Sequence, residues 1–259
     1  MRPSSPHVSV ILTTRDRPRL LSIALACYAH QTYGERELLV VDDGDRFPVD
    51  RAAVEAVGGR LIRVPPGTPL GTKLNIGARA ARGPLCQKMD DDDWYAPRFV
   101  ETMVAAVAAD RDQVSRPTIS FLTPFLFFHL AQWEVRRSVD RNFPGATLMF
   151  AREDWDEHPF RPLPRDEDVW FFSDQTRYGV APLPVDAPET FLAVRHGKPG
   201  SDRGHTWTHQ GDGRSLEEYI RERPLHEVGL DDLLPDWALA AYADLRSDLL
   251  QPPVPAVPR

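Results

Sequence analysis

The chain has little with which to build a disulfide framework, a thiolate metal site or a membrane span. It contains 2 cysteines. Cys27 falls in an apolar helical stretch and Cys86 in a strand-like one, so both read as buried free thiols, without metal-ligand spacing. No apolar run is long enough to cross a bilayer. The longest, Phe121 to Leu130, is interrupted by Pro124 and His129. Met1 to His7 is short, polar and Pro-rich, which is not the pattern of a signal peptide. A cytoplasmic protein with no integral membrane segment is therefore expected. Lysine is confined to Lys73, Lys88 and Lys198, and positive charge overall is short, with a formal net charge of −7. Such a chain is a poor general binder of nucleic acid or anionic membranes. An anionic ligand would need a metal ion or a local cationic patch.

What is present is a core. At 259 residues and 42% apolar content, the chain can bury one large domain, with room for a small appendage. The first hundred residues alternate strand and helix signals. Strands are expected at Val8–Thr14, Glu37–Asp42, Arg60–Val64 and Leu85–Met89. Helices are expected from Pro18 to about Gln31, then at Asp50–Val57, Leu70–Ala81 and Pro97–Ala109. Near-continuous apolar strands alternating with helices predict an α/β fold whose mostly parallel sheet is covered on both faces. The second half changes character. Thr118–Leu130, Trp133–Ser138, Ala146–Phe150 and Phe191–Arg195 read as strands, and Glu167–Tyr178 as an aromatic-rich helix. Gly197–Gly213 reads as a mobile loop, Ser215–Arg223 and Trp237–Leu250 as surface helices, and Gln251–Arg259 as a Pro-rich tail.

Four adjacent carboxylates, Asp90 to Asp93, follow directly on a buried strand. Ligands of open α/β sheets bind at the carboxyl ends of strands. Clustered carboxylates there suit a hard divalent cation such as Mg²⁺ or Mn²⁺, which in turn takes phosphate oxygens as ligands. An acidic turn that caps the next helix is the competing explanation. Asp93, with Pro97 just inside that helix, fits the capping role.

Five blocks in order resemble the family 2 glycosyltransferases, over roughly residues 7 to 196. They are Val-Ser-Val-Ile-Leu-Thr-Thr-Arg-Asp-Arg-Pro (8–18), Val-Val-Asp-Asp-Gly (40–44), Gly-Thr-Lys-Leu-Asn-Ile-Gly-Ala (71–78) with Ala-Arg-Gly (81–83), Met-Asp-Asp-Asp-Asp-Trp-Tyr-Ala-Pro (89–97), and Asp-Glu-Asp-Val-Trp (166–170). The resemblance implies a GT-A fold in one domain over residues 1–215. Its nucleotide half would span about 7–115 and its acceptor half about 116–215, with a helical extension over 216–259. It implies transfer of a sugar from a nucleoside diphosphate, UDP by family frequency, to an acceptor hydroxyl, with inversion. Thr13 and Arg15 would line the base pocket. Asp43, with Asp42, would bond the base or ribose. Lys73 and Asn75 would face the nucleotide, and Asp90 and Asp91 would lie near ribose and diphosphate. Asp92 would be the principal metal ligand, with Asp90 and His196 beside it. Asp168 would be the base, with Glu167 next to it.

Chemistry supports that last role independently. Inversion needs one base to accept the proton of the incoming hydroxyl, and no second carboxylate if a metal handles the leaving group. Helix N-terminal charge is the plainer explanation for Glu167-Asp168. Arg195 and Arg203 are candidates for the diphosphate, and His205 for the metal. Two positions depart from the family, Asp16 for its Asn and Asp45 for its Ser. Three other readings stay open: a catalytically degenerate nucleotide-sugar-binding module, a retaining transferase, and a sugar-1-phosphate nucleotidyltransferase. The last should carry a Gly-rich loop after the first strand, and residues 13–18 contain no glycine. Trp133, Trp155 and Trp170 could stack on a sugar or belong to the core. The acceptor could be a small molecule, a saccharide or a lipid-linked species. A homodimer through the tail and surface helices is compatible with the sequence.

Overall fold

The computed structural model describes residues 5–113, 117–139, 143–196, 222–225 and 228–250. The expected loop at 197–213, with Arg203 and His205, lies outside them, as do residues 215–221 and the tail. Strands β1 (Val8–Thr14), β2 (Arg36–Asp42), β3 (Gly59–Arg63) and β4 (Leu85–Asp90) alternate with helices α1 (Pro18–Ala29), α2 (Arg51–Ala56) and α3 (Leu70–Ala80). They pair parallel in the order β4-β1-β2-β3. β1 is buried along its whole length because helices cover both its faces. Pro18 opens α1, where a missing N–H costs nothing. Asp50 caps α2 by accepting from the Ala52 N–H at 3.0 Å.

The sheet continues past β4 through β9 (Met149–Ala151), β6 (Thr118–Leu122) and β10 (Ala181–Val185), giving seven strands in the order β10-β6-β9-β4-β1-β2-β3. β9 runs antiparallel to both β4 and β6, so β6 and β10 point the same way as β1 and β4. The carboxyl ends of all the parallel strands thus share one edge. A second sheet of five strands has the order β12-β8-β7-β11-β5. It comprises β5 (Trp94–Tyr95), β7 (Leu126–His129), β8 (Glu134–Ser138), β11 (Phe191–Arg195) and β12 (Glu222–Pro224).

Two cores flank the large sheet. One packs α1, α4 (Phe99–Gln113), the second sheet, α7 (Leu230–Leu233) and α8 (Asp236–Leu250) against Val8, Val10, Leu12 and Met89. The other packs α3, α5 (Arg152–Glu157) and α6 (Glu167–Arg177) against Ile11, Leu39 and Cys86. Both cysteines are free and buried.

Several elements differ from expectation. The run 118–130 is broken at Pro124, which has no N–H for a ladder, and its two halves join different sheets. The strand expected at 146–150 begins as a short 3₁₀ turn, Gly145–Thr147. Asp93 does not cap α4. Trp94 and Tyr95 pair with β11, delaying the helix to Phe99, and Asp93 accepts from the Val194 N–H at 2.9 Å. Residues 222–224 are a strand on β8, not the end of a helix. The helix at 236–250 is not purely superficial, since Ala238 and Tyr242 are buried in the same core as Trp94.

Candidate active site

The ends of β1, β2 and β4 open into a cleft of about 310 Å³. Thr13, Arg15, Asp43, Lys73, Asp90, Asp91 and Asp92 all line it, with Arg17 and the loop 67–69. The structure thus gathers most of the residues assigned to the nucleotide. Lys73, buried on the first turn of α3, donates to Asp43 at 2.6 Å and to the Thr14 carbonyl at 3.2 Å. Asp43 also accepts from the Gly67 N–H at 3.1 Å, which fixes the loop over the cleft. Asp16, at φ 53°, accepts three backbone N–H bonds on one oxygen, from Asp45, Arg46 and Phe47 at 2.8–3.0 Å. An Asn oxygen could accept the same three, so the departure from the family leaves this loop contact possible. Those N–H bonds hold the Asp16 carboxyl below its ordinary pKa, Phe47 most of all.

Asp42 and Asn75 are used differently from the expectation. Asp42 is wholly buried and accepts from the Gly44 and Val49 N–H groups and from Arg63, at 2.6–2.9 Å. Asn75 accepts from Trp155 Nε1 at 2.8 Å and from the Phe160 N–H at 3.0 Å, and donates to the Phe160 carbonyl at 2.7 Å. Neither lines the cleft. Both side chains spend their bonding capacity on holding adjacent segments together.

The acidic run divides its work. Asp91 accepts from Thr14 Oγ1 at 2.5 Å and from Arg17 at 3.0 Å. Burial pushes its carboxyl up to about 6, against the pull of Arg17. Asp92 takes the same guanidinium at 2.7 Å, and His196 Nε2 lies 3.2 Å from its Oδ2. Asp90, Asp92 and Asp93 bring carboxylate oxygens within 4.8 Å of one another. An all-oxygen donor set suits Mg²⁺ or Mn²⁺, so these residues fit the expected ion, with Asp93 joining Asp90 and Asp92. His196 stands beside the set, against Asp92.

Beyond Asp90 lies a second acidic group. Lys88, on the same face of β4 as Asp90, is fully enclosed, with Nζ 2.9 Å from Asp90 Oδ1 and 3.7 Å from Glu167 Oε1. Glu167 and Asp168 form the first turn of α6 and are 3% and 2% exposed. Burial pushes Glu167 up to about 8 and also raises Asp168, with Lys88 pulling both back. Asp168 Oδ1 accepts from the Val169 N–H at 2.8 Å. Its other oxygen rests on the Cα of Gly145 in the 3₁₀ turn. Tyr95 ties that turn to the acidic run: its hydroxyl accepts from the Asp90 N–H at 2.7 Å and donates to the Ala146 carbonyl at 3.1 Å.

Lys88, Arg17, Tyr95 and Gly145 received no role in the sequence reading. A lysine inside a buried strand, two residues before an acidic run, was a legible signal for the first. Nothing local marks Tyr95 or Gly145, whose partners lie about fifty and twenty residues away. Of the three tryptophans considered for stacking, Trp155 is core and Trp133 packs edge-on against Phe128. Trp170 is 44% exposed, with the Arg161 guanidinium 4.1 Å from its ring centre.

Comparison with known proteins bears on the family and the fold. A family model described as "Glycosyl transferase family 2" matches residues 9–157, more than half of the chain. A hyaluronan synthase of Pasteurella multocida is 34% identical over 119 residues, 43% of this chain and 12% of that protein. A putative glycosyltransferase, EpsH, of Bacillus subtilis is 29% identical over 114 residues, 42% of this chain and 33% of that one. The matched part is therefore a minor share of either relative. Among solved structures, S. aureus TarS in complex with UDP superposes with a TM-score of 0.57 at 15% identity, over 73% of this chain and 60% of that one. A Pyrobaculum calidifontis mannosyltransferase in complex with GDP-Man and Mn²⁺ gives 0.55 at 17%, over 79% and 60%. At such identities the likeness establishes the fold, which is GT-A. Among the described residues no helix is long and apolar enough to cross a membrane.

Proposed function

Because the chain belongs to glycosyl transferase family 2, we propose that it moves a hexosyl group from a nucleoside diphosphate sugar, UDP-linked by family frequency, to an acceptor hydroxyl with inversion. One observation carries this reading. A single sheet edge holds the polar cleft with Asp43, Lys73 and Asp90–Asp92, and next to it, joined through Lys88, the buried acids Glu167 and Asp168.

In this reading Thr13, Arg15 and Asp43 bind the base and ribose, and Lys73 holds Asp43 in place while adding positive charge. Asp90, Asp92 and Asp93 would hold Mg²⁺ or Mn²⁺, with His196 beside them. When bound, the ion supplies Lewis-acid neutralisation of the diphosphate. Asp168 accepts the proton of the acceptor hydroxyl as its oxygen bonds to the anomeric carbon, and the diphosphate departs with the electrons of the broken bond. A carboxylate whose pKa is raised by burial is a stronger base for that step. Lys88, paired with Asp90 and Glu167, supplies buried positive charge that acts on Asp168, and in this reading Lys88 and Glu167 are positioning residues.

The test is calorimetric titration of UDP, GDP and dTDP, each with Mn²⁺ and with EDTA. Metal-dependent binding of one nucleotide is expected, lost in Asp92→Ala and kept in Asp168→Asn. Turnover of Asp168→Asn should fall by about 10²–10⁴, as removal of a general base predicts. Near-normal turnover of that variant would refute the base assignment. A folded protein that binds no nucleotide would favour a degenerate binding module instead.

A further inference from the structure

We propose that a second cleft, at the ends of β6 and β10, binds an anionic group, phosphate or carboxylate, carried by the acceptor. The inference rests on the transferase reading and specifies the chemistry of its second substrate. The cleft has a volume of about 550 Å³, within the usual range of small-molecule sites, roughly 300–1,000 Å³. It lies where β6 and β10 end and β8 meets β12, and Arg137 and Arg223 both line it.

The pairing of these two arginines is the main argument. In the antiparallel β8–β12 ladder Arg137 stands directly opposite Arg223. Directly opposed residues project to the same face, and like charges so placed repel. Neither makes an ion pair among the described residues, although the chain carries 38 acidic residues against 31 basic ones. Arg136, the adjacent residue of β8, does pair, with Glu134 at 3.1 Å. The single carboxylate among the described lining residues, Asp186, is exposed and is bonded to neither arginine. An anion between the two guanidinium groups removes the repulsion, and two forked donors suit the geometry of phosphate or carboxylate.

The location supplies the link to catalysis. Thr123 borders this cleft, and the residue before it, Leu122, donates its N–H to Thr147 Oγ1 at 3.1 Å. Thr147 closes the 3₁₀ turn whose Gly145 supports Asp168. The cleft shares no lining residue with the nucleotide cleft. An acceptor anchored at Arg137 and Arg223 therefore occupies a space separate from the nucleotide cleft, linked to the Asp168 support through Leu122 and Thr147.

The experiment titrates inorganic phosphate and, separately, glucuronate into protein already saturated with Mg²⁺ and the nucleoside diphosphate it binds. Wild type is compared with Arg223→Ala, Arg137→Ala and the matching Lys variants. Arg223 is exposed, so its replacement leaves the fold intact even if Arg137→Ala does not. One anion per chain is expected to bind, about tenfold or more weaker in each Ala variant and intermediate in the Lys variants. Nucleotide affinity should be unchanged throughout. Tighter phosphate binding assigns a phosphorylated acceptor, and tighter glucuronate binding a uronic-acid one. Failure of both anions to bind, or binding that Arg223→Ala leaves untouched, overturns the proposal while the nucleotide titration still stands. Loss of nucleotide binding with an arginine-dependent anion signal retained overturns the transferase reading instead.

Discussion

The carboxylate of Asp168 rests so closely on Gly145 that a Cβ placed on that glycine would stand 1.5 Å from Asp168 Oδ2. Only a residue without a side chain leaves room for the acid in its present position. Gly145→Ala is therefore expected to displace Asp168 and lower turnover by about 10²-fold, since a misplacement of about 1 Å costs that much. Nucleotide affinity should not change, because Gly145 does not line the nucleotide cleft. Steady-state kinetics beside a nucleotide titration check both halves. Equal losses in the two would show that the substitution damages the fold and not the placement of the acid.

Among the described residues, Lys88 is the one cation paired with both Asp90 and Glu167. Replacing it with Met leaves these carboxylates without their buried counter-ion. Breaking such a pair from one side typically costs about 3–5 kcal/mol. Urea denaturation of Lys88→Met with EDTA present should show a loss on that scale. A change under about 0.5 kcal/mol, the level of an ordinary surface substitution, would mean that the ammonium contributes nothing to stability.

Glu167 gives stability a pH dependence of definite sign. Its folded pKa, about 8, lies above the ordinary 4.5. The folded chain therefore holds a proton there that the unfolded chain has already lost. The associated stability is complete below about pH 4.5 and disappears as pH rises through about 8. Between pH 6 and 9, with EDTA, wild type should lose more stability than Glu167→Gln. Parallel curves for the two proteins would contradict the assignment.

Asp16 organises residues 45–47 by accepting three N–H bonds on one oxygen. Asp16→Asn should preserve them and leave nucleotide affinity close to wild type. Asp16→Ala should free the loop and weaken binding. Similar affinities for the Asn and Ala variants would show that the loop does not shape the nucleotide cleft.

Much of the donor half was legible from local pattern. A strand buried on both faces is mostly apolar, so β1 and β2 show themselves in composition, and β4 does so except where the buried Gln87 and Lys88 interrupt it. Ligands gather at the carboxyl ends of such strands, so the acidic run Asp90–Asp92 could be named from its place in the sequence, and the family resemblance added Thr13 and Asp43. The acceptor half was less legible because its short strands are defined by partners. β5 has two residues and exists by pairing with β11, and it is this pairing that takes Asp93 away from α4. Likewise β12 exists as a strand on β8, and that ladder sets Arg223 opposite Arg137. The sequence by itself determined the alternating α/β half and its acidic cluster, because helix and strand periodicity and strand-end chemistry are local properties. Only the tertiary structure decided which carboxylates share Lys88, which bonds occupy Asp42 and Asn75, and which glycine supports Asp168. Those depend on contacts between segments tens of residues apart, whose geometry no local pattern encodes.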